Sequence, residues 1–464
     1  MSRPDGGTAG SRSAVPAWSS NIALYLSTAG ASVGLGSIWR FPYLAGTGGG
    51  SAFILVFVAA CVLVATPLLA AEFALGRASR LSPPQAAGAV AASVGLSTRW
   101  NVIGILGTIA AYLLFSYYTV IAAWILAYAW KCGIGLLQAA GPRHVAQLWN
   151  DFQARPLEVE LWHIGFVAVV IFISGRGLQG GVEPANRIRA PALLLLLLTL
   201  VAYSLATGDV RRGLTFAFKP DFSAINAQVV LSAIGQAFYA TGVAQAMMIA
   251  FGAYVARGTS LVRTSLVITG SILLVSLLAT MMIFPLVFGY GMNPAQGPAL
   301  VFDVLPRVFT EIPGGRLIGT LFFSLLVLAA LTPSIALLEP GAAWLITRFG
   351  VRRSVAVWIV GGSSWVLGIG TILSFNLWSN WYPLSFLPLF SHKTFFDTLD
   401  YVCSNVMLPV GAFLTSVLVG WRVSDLFARQ ELPETTQFAR TACVWLLRYV
   451  CPLAILAVFI ATLI

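Results

Sequence analysis

Eleven stretches of this sequence are long and apolar enough to read as membrane spans, which need roughly 20 residues because a helix rises about 1.5 Å per residue across about 30 Å of hydrocarbon. They lie near residues 18–43, 51–76, 101–130, 161–175, 190–207, 226–256, 264–290, 317–347, 354–375, 396–421 and 441–464. Backbone in lipid must satisfy its own hydrogen bonds, so such runs are read as helices and the chain as an all-α polytopic membrane protein. Of its 464 residues 58% are hydrophobic and 9% charged, against about a quarter charged in a soluble domain. Soluble domains, disorder, collagen-like repeats and coiled coil are excluded together. A pI of 9.7 would ordinarily raise nucleic-acid binding. Here the charges are scattered between apolar runs with no basic stripe, so no nucleic-acid partner is expected and the lipid bilayer is the solvent.

The basic excess has a topological reading. With the N-terminus inside, the inner segments carry seventeen arginines, among them Arg77, Arg80, Arg187, Arg189, Arg257 and Arg353, against five carboxylates. The outer segments balance at nine basic and nine acidic residues. Basic residues mark the cytoplasmic side, so the reading is a multi-pass cell-membrane protein with a cytoplasmic N-terminus. Residues 1–17 are small and polar and read as a disordered cytoplasmic tail. Cys61, Cys132, Cys403, Cys443 and Cys451 show no paired spacing, so neither a disulfide nor a metal site is expected. His144, His163 and His392 are far apart in sequence and read as solvated residues in loops or at a span edge.

Two apolar runs contain segments a helix tolerates badly. The first reads STAGASVGLGSIWRFPY, with Gly30, Gly34 and Gly36, and the sixth reads IGQAFYATGVAQAMMIAFGAY, with Gly235 and Gly242. Each glycine weakens a helix by about 1 kcal/mol against alanine. Close packing through small residues is one explanation. The other follows from position, because the breaks open two successive five-span blocks. Interrupted helices at matching places in two halves mark a transporter whose site lies at the membrane midplane. Charge within the spans is confined to Arg40, Glu72 and Glu339, with Asp400 at the start of the tenth. Each costs at least about 2.5 kcal/mol on insertion scales and needs a reason. For the two glutamates the reason is either a post that ties backbone together or a proton carrier.

The segments GASVGLGSIWRFPYLAGTGGGSAF, PLLAAEFALGR, SYYTVIAAW, GQAFYATG and LDYVCSNVMLPVGAFLTSVLVGW together resemble the neurotransmitter:sodium symporter family. The resemblance runs from Trp18 to the end of the chain and resembles the bacterial members, which often stop after eleven spans. It implies the LeuT-type fold: five-helix repeats over residues 18–215 and, inverted, 216–424, with broken first and sixth helices, and an eleventh helix over 425–464. It also implies a substrate held between the breaks by Ala31, Ser32, Leu35 and Gly36. Tyr118 stands where a hydroxyl holds a substrate carboxylate, and Tyr239 where an aromatic lid closes. Leu114, Ala240, Gly242, Gln245, Pro333 and Leu337 would shape the pocket. Arg40 and Asp400, with Tyr118 and Tyr239, match the outer gate. Gly34 replaces the aspartate of amine-specific members, which favours a substrate with its own carboxylate.

The sequence departs from the family at the ion positions. Side-chain oxygens of the first sodium site are replaced by Ser37, Ala240 and Ser271 or Ile272, which removes that site, since hard cations want several oxygens. The second site keeps the carbonyls of Gly30, Val33 and Ala329 and the hydroxyl of Thr332. Pro333 takes the place of its fifth ligand, and because proline has no N–H, it also frees the Ala329 carbonyl four residues back. The inner gate pair is lost to Val15 and Thr347, with Arg12 a substitute that lacks an acidic partner. The expected function is therefore sodium symport of a small organic solute, an amino acid with a bulky apolar or aromatic side chain or a related metabolite, through a modified second site. Alternatives are a sodium-independent or proton-coupled carrier using Glu72 or Glu339, or a binding sensor without flux. No nucleophile, metal cluster or phosphate loop points to an enzyme, and no cofactor is expected beyond a sodium ion.

Overall fold

The computed structural model describes residues 18–294 and 300–463; the tail over residues 1–17, with Arg12 and Val15, lies outside them. Among the described residues nine helices are long and apolar enough to cross a membrane: Ser51–Ser79, Thr98–Gly133, Pro156–Gly175, Leu178–Thr207, Leu261–Gly289, Gly315–Phe349, Arg353–Leu373, Phe395–Arg422 and Gln437–Ile460. A bent pair, Asn21–Ser32 and Gly36–Thr47, turns through 52° and makes a tenth. The sixth apolar stretch holds two shorter helices, Ala227–Thr241 and Met247–Gly252, with residues 242–246 between them. Ordinals below follow the order of the apolar stretches along the chain.

Polar residues start these helices where the apolar runs begin. Ser20, Asn226 and Ser260 each accept a hydrogen bond from a first-turn backbone N–H, which supplies a donor the helix cannot satisfy internally. Thr394 and Asp397 do so reciprocally at the tenth. The third and eighth helices pack along most of their length, and the N-terminal half of the first lies against the fifth, seventh and eighth. The fourth and ninth cover the third, while the eleventh sits at the periphery against the tenth. Leu157, Leu161, Ile188, Leu195, Leu317 and Trp358 face outward with more than 60% of their surface exposed. Apolar exposure on that scale suits lipid rather than water.

Two expectations need correcting. The fifth helix was expected over 190–207 but begins at Leu178. Glu183, Asn186 and Arg189 interrupt the hydropathy, yet they are three residues apart and so share one face. That face is turned inward: all three are buried. Arg189 is therefore not a loop residue. His163, read as solvated, is fully buried, with Nε2 2.9 Å from Thr119 Oγ1 and Nδ1 3.5 Å from Glu160. The helix containing it starts at Pro156 rather than 161, which carries the ring below the surface. His144 and His392 are exposed, and the five cysteines are buried.

Candidate substrate and ion site

The two helix breaks face each other and are cross-linked. Ser32 Oγ donates to the Thr241 carbonyl at 3.1 Å, and Gln236 Nε2 donates to the Gly36 carbonyl at 2.7 Å. Each bond joins a residue of the first break to one beside the sixth. Within residues 242–246 the backbone turns left-handed at Gly242 (φ +70°), Ala244 (φ +64°) and Ala246 (φ +57°). For alanine this costs about 1–2 kcal/mol per residue and persists only where the surroundings enforce it. Glu72 from the second helix does the enforcing, since its Oε1 accepts the Ala244 N–H at 2.6 Å. Glu72 is fully buried and its Oε2 has no partner among the described residues. It serves as a backbone post.

Between the breaks lies a narrow cavity of about 30 Å³. Ala31, Ser32, Leu35 and Gly36 line it from the first segment, Tyr239, Ala240, Gly242 and Gln245 from the sixth. Leu114 and Tyr118 come from the third helix, Pro333 and Leu337 from the eighth. Gly34 and Met247 complete the lining; neither was among the twelve expected residues. The Leu35 backbone N–H at the break donates to the Tyr118 hydroxyl at 3.5 Å. The hydroxyl keeps its own proton to donate beside that N–H, and these are the two groups a carboxylate accepts from. Gly34 is required there, because a Cβ would stand 2.6 Å from Pro333 Cγ and 3.1 Å from the Tyr118 hydroxyl.

Beyond Tyr239, toward the end opposite Trp18, opens a vestibule of about 470 Å³. Arg40, Asp400, Tyr117, Trp124 and Phe375 are among its walls, and Tyr239 lines both spaces. Tyr239 is therefore the partition. Arg40 and Asp400 do not touch as an ion pair: the Arg40 guanidinium lies over the Tyr239 ring at 4.4 Å. Asp400 accepts from Tyr117 and Ser404 at 3.0 and 3.2 Å. Tyr118, expected in both pocket and gate, belongs only to the pocket; its neighbour Tyr117 faces the vestibule.

The opposite end is sealed. Trp18 packs edge-on against Phe251 and donates Nε1 to its carbonyl at 3.4 Å. Ser19 donates to Glu183 through both N and Oγ. Tyr254 donates to Glu339, whose two oxygens also take the Arg353 guanidinium at 3.0 and 2.6 Å. In this conformation Glu339 is an ion-paired post. Thr347 returns its hydroxyl to its own helix at Ala343. Arg77 reaches Glu431 and the Thr259 carbonyl, so several arginines gather at this end.

At the ion positions the Ser37 hydroxyl is buried without a partner, while Ser271 donates to Val267 in its own helix and Ile272 is buried and apolar. Of the residues at the first position, Ser37 is the one whose hydroxyl has no partner among the described residues. At the second, Gly30 lies against the Thr332 methyl, at 3.2 Å from where its Cβ would be, and Thr332 donates to Asn186 Oδ1 at 2.9 Å. Asn186 in turn donates to Ser27 at 3.2 Å. That chain fixes the Thr332 rotor and leaves its lone pairs free. Asn186, Arg189, Gln236 and Thr241 were missed from sequence. For the first two the inward polar spacing of three was the available signal.

A pocket between two facing helix breaks, with a vestibule on one side and a packed seal on the other, defines a membrane carrier. The sequence matches the sodium:neurotransmitter symporter family over residues 15–140 and 142–464. It is 33% identical over 446 residues to YhdH, a sodium-dependent transporter of Bacillus subtilis (strain 168), covering 96% of each chain. It is 31% identical over 455 residues to a sodium-dependent transporter of Haemophilus influenzae, covering 96% of this chain and 98% of that one. Among solved structures it resembles MhsT in complex with L-phenylalanine, with a TM-score of 0.86 and 34% identity over 96% of this chain and 99% of the other. The chain belongs to the sodium:neurotransmitter symporter family. It is a multi-pass membrane transporter of the LeuT-type fold and not an enzyme.

Proposed function

We propose that this carrier moves an amino acid with a bulky apolar or aromatic side chain, together with sodium, by alternating access. The observation that carries the reading is the corner where the Tyr118 hydroxyl meets the Leu35 N–H inside a pocket whose other walls include Ala31, Leu114, Ala240 and Leu337. The chemistry of the corner suits a carboxylate and that of the walls an apolar side chain. The bound L-phenylalanine of the similar MhsT structure supports the same class. Sodium would bind the carbonyls of Gly30, Val33 and Ala329 with the Thr332 hydroxyl. The arginine-rich end would face the cytoplasm of a cell-membrane protein, so the vestibule faces outward. The two five-helix units over 18–215 and 216–424 would move against each other, with 425–464 as a flank. Uptake of radiolabelled phenylalanine into proteoliposomes, with sodium or choline outside, tests the reading. Sodium-stimulated accumulation is expected. Uptake that is equal in choline removes the sodium, and no uptake of any large apolar amino acid removes the substrate class.

A further inference from the structure

The inward face of the fifth helix brings a guanidinium to the second ion position. Arg189 is 6% exposed, and its Nη1 donates to the Leu328 carbonyl at 3.1 Å. A Cβ on Gly30 would lie 2.3 Å from Arg189 Nη2 and 3.2 Å from the Thr332 methyl. Arg189 and Thr332 therefore press on the same glycine, beside the residues assigned to sodium above. Among the described residues no carboxylate forms an ion pair with Arg189, and its Nε has no partner. A charge buried in a membrane helix is ordinarily matched by an opposite one. This one is met by backbone oxygen, the same kind of group that would ligate sodium.

Arginine keeps its proton in any protein environment, so the positive charge is permanent. Two cations a few ångströms apart in a poorly screened interior repel strongly. We propose that Arg189 is a tethered cation of the second ion site: its guanidinium and a sodium ion are mutually exclusive occupants, and sodium enters only as Arg189 withdraws. The inference rests on the carrier reading above and adds to it a residue of this chain that sets how strongly sodium is felt. In the present conformation the guanidinium supplies the charge that steadies the junction of the first, fifth and eighth helices. Sodium must replace that charge as well as bind.

The test uses the purified full-length chain without substrate, with its melting temperature followed as sodium replaces choline at constant ionic strength. Arg189→Gln removes the charge and is expected to raise the apparent sodium affinity about ten-fold or more, a change of about 1.4 kcal/mol. Adding Thr332→Val to that variant is expected to cancel the gain, which places the sodium at this site. An Arg189→Gln chain whose sodium response equals or falls below that of the unaltered chain overturns the proposal, as does a gain that survives Thr332→Val. Should Arg189→Gln not fold, Arg189→Met keeps a long stem without charge and is read the same way. Because no substrate is present, failure of phenylalanine uptake sinks the substrate reading alone and leaves this result standing.

Discussion

At the residue scale, substrate recognition concentrates in one hydroxyl. If the Tyr118 hydroxyl and the Leu35 N–H hold a carboxylate, Tyr118→Phe removes a hydrogen bond to a charged group, worth about 1.5–3 kcal/mol. Affinity for phenylalanine should then fall by about ten-fold to a hundred-fold in a binding titration, and an unchanged affinity would rule the role out. Gly34→Ala is a harsher change, because its Cβ would stand 2.6 Å from Pro333 Cγ and push toward the Tyr118 hydroxyl. Binding should be lost while the chain still purifies as a folded protein, and retained binding would show that the eighth helix can move aside. Tyr118, Tyr239 and the small residues around them were legible in the sequence because their motif is long and ordered. Arg189 was not, because a hydropathy reading ends a span at the first run of charges and cannot see that Glu183, Asn186 and Arg189 share a buried face.

At the scale of the element, buried glutamates hold broken or converging helices. Glu72 fixes the left-handed Ala244 through its N–H. Glu72→Ala leaves that donor unsatisfied in the interior, a penalty of about 1–3 kcal/mol, and should lower the melting temperature and weaken substrate binding together. A drop in stability with binding intact would mean the break does not shape the pocket. Glu339 and Arg353 join the eighth and ninth helices, with Tyr254 as a third member. Breaking a fully buried pair from one side costs about 3–5 kcal/mol because a charge is left behind, and less is lost here because Arg353 is only partly buried. Glu339→Ala should therefore destabilise, and adding Arg353→Met should restore part of the loss. If the double variant melts no higher than the single one, the pair is not the source of the stability. The helices themselves were readable from apolar runs and caps. Their bounds were not, as the fifth shows, since polar residues that point inward look the same in sequence as polar residues that leave the membrane.

At the scale of the molecule, one tyrosine separates a vestibule from a pocket, and the opposite end is closed by Trp18 and the Glu339–Arg353 pair. The five native cysteines are buried, which gives a quiet background for thiol labelling. Gln153→Cys in the vestibule wall should react readily with a membrane-impermeant reagent, and Met247→Cys in the pocket should not. Adding Tyr239→Ala should expose the latter, and fast labelling of Met247→Cys with Tyr239 intact would show that the ring is no barrier. By itself the sequence determined the class of protein, the membrane as solvent, the two breaks and the twelve pocket residues. The membrane and the breaks follow from hydropathy and glycine placement, local properties of the chain, while the class and the pocket residues follow from the resemblance of its motifs to the family. Only the tertiary structure decided that Asp400 answers to Tyr117 and Ser404, that Glu339 is paired with Arg353, and that a guanidinium sits at Gly30. Each depends on which groups from distant helices meet in a medium too dry to screen them, and partnership of that kind is not written in any single stretch.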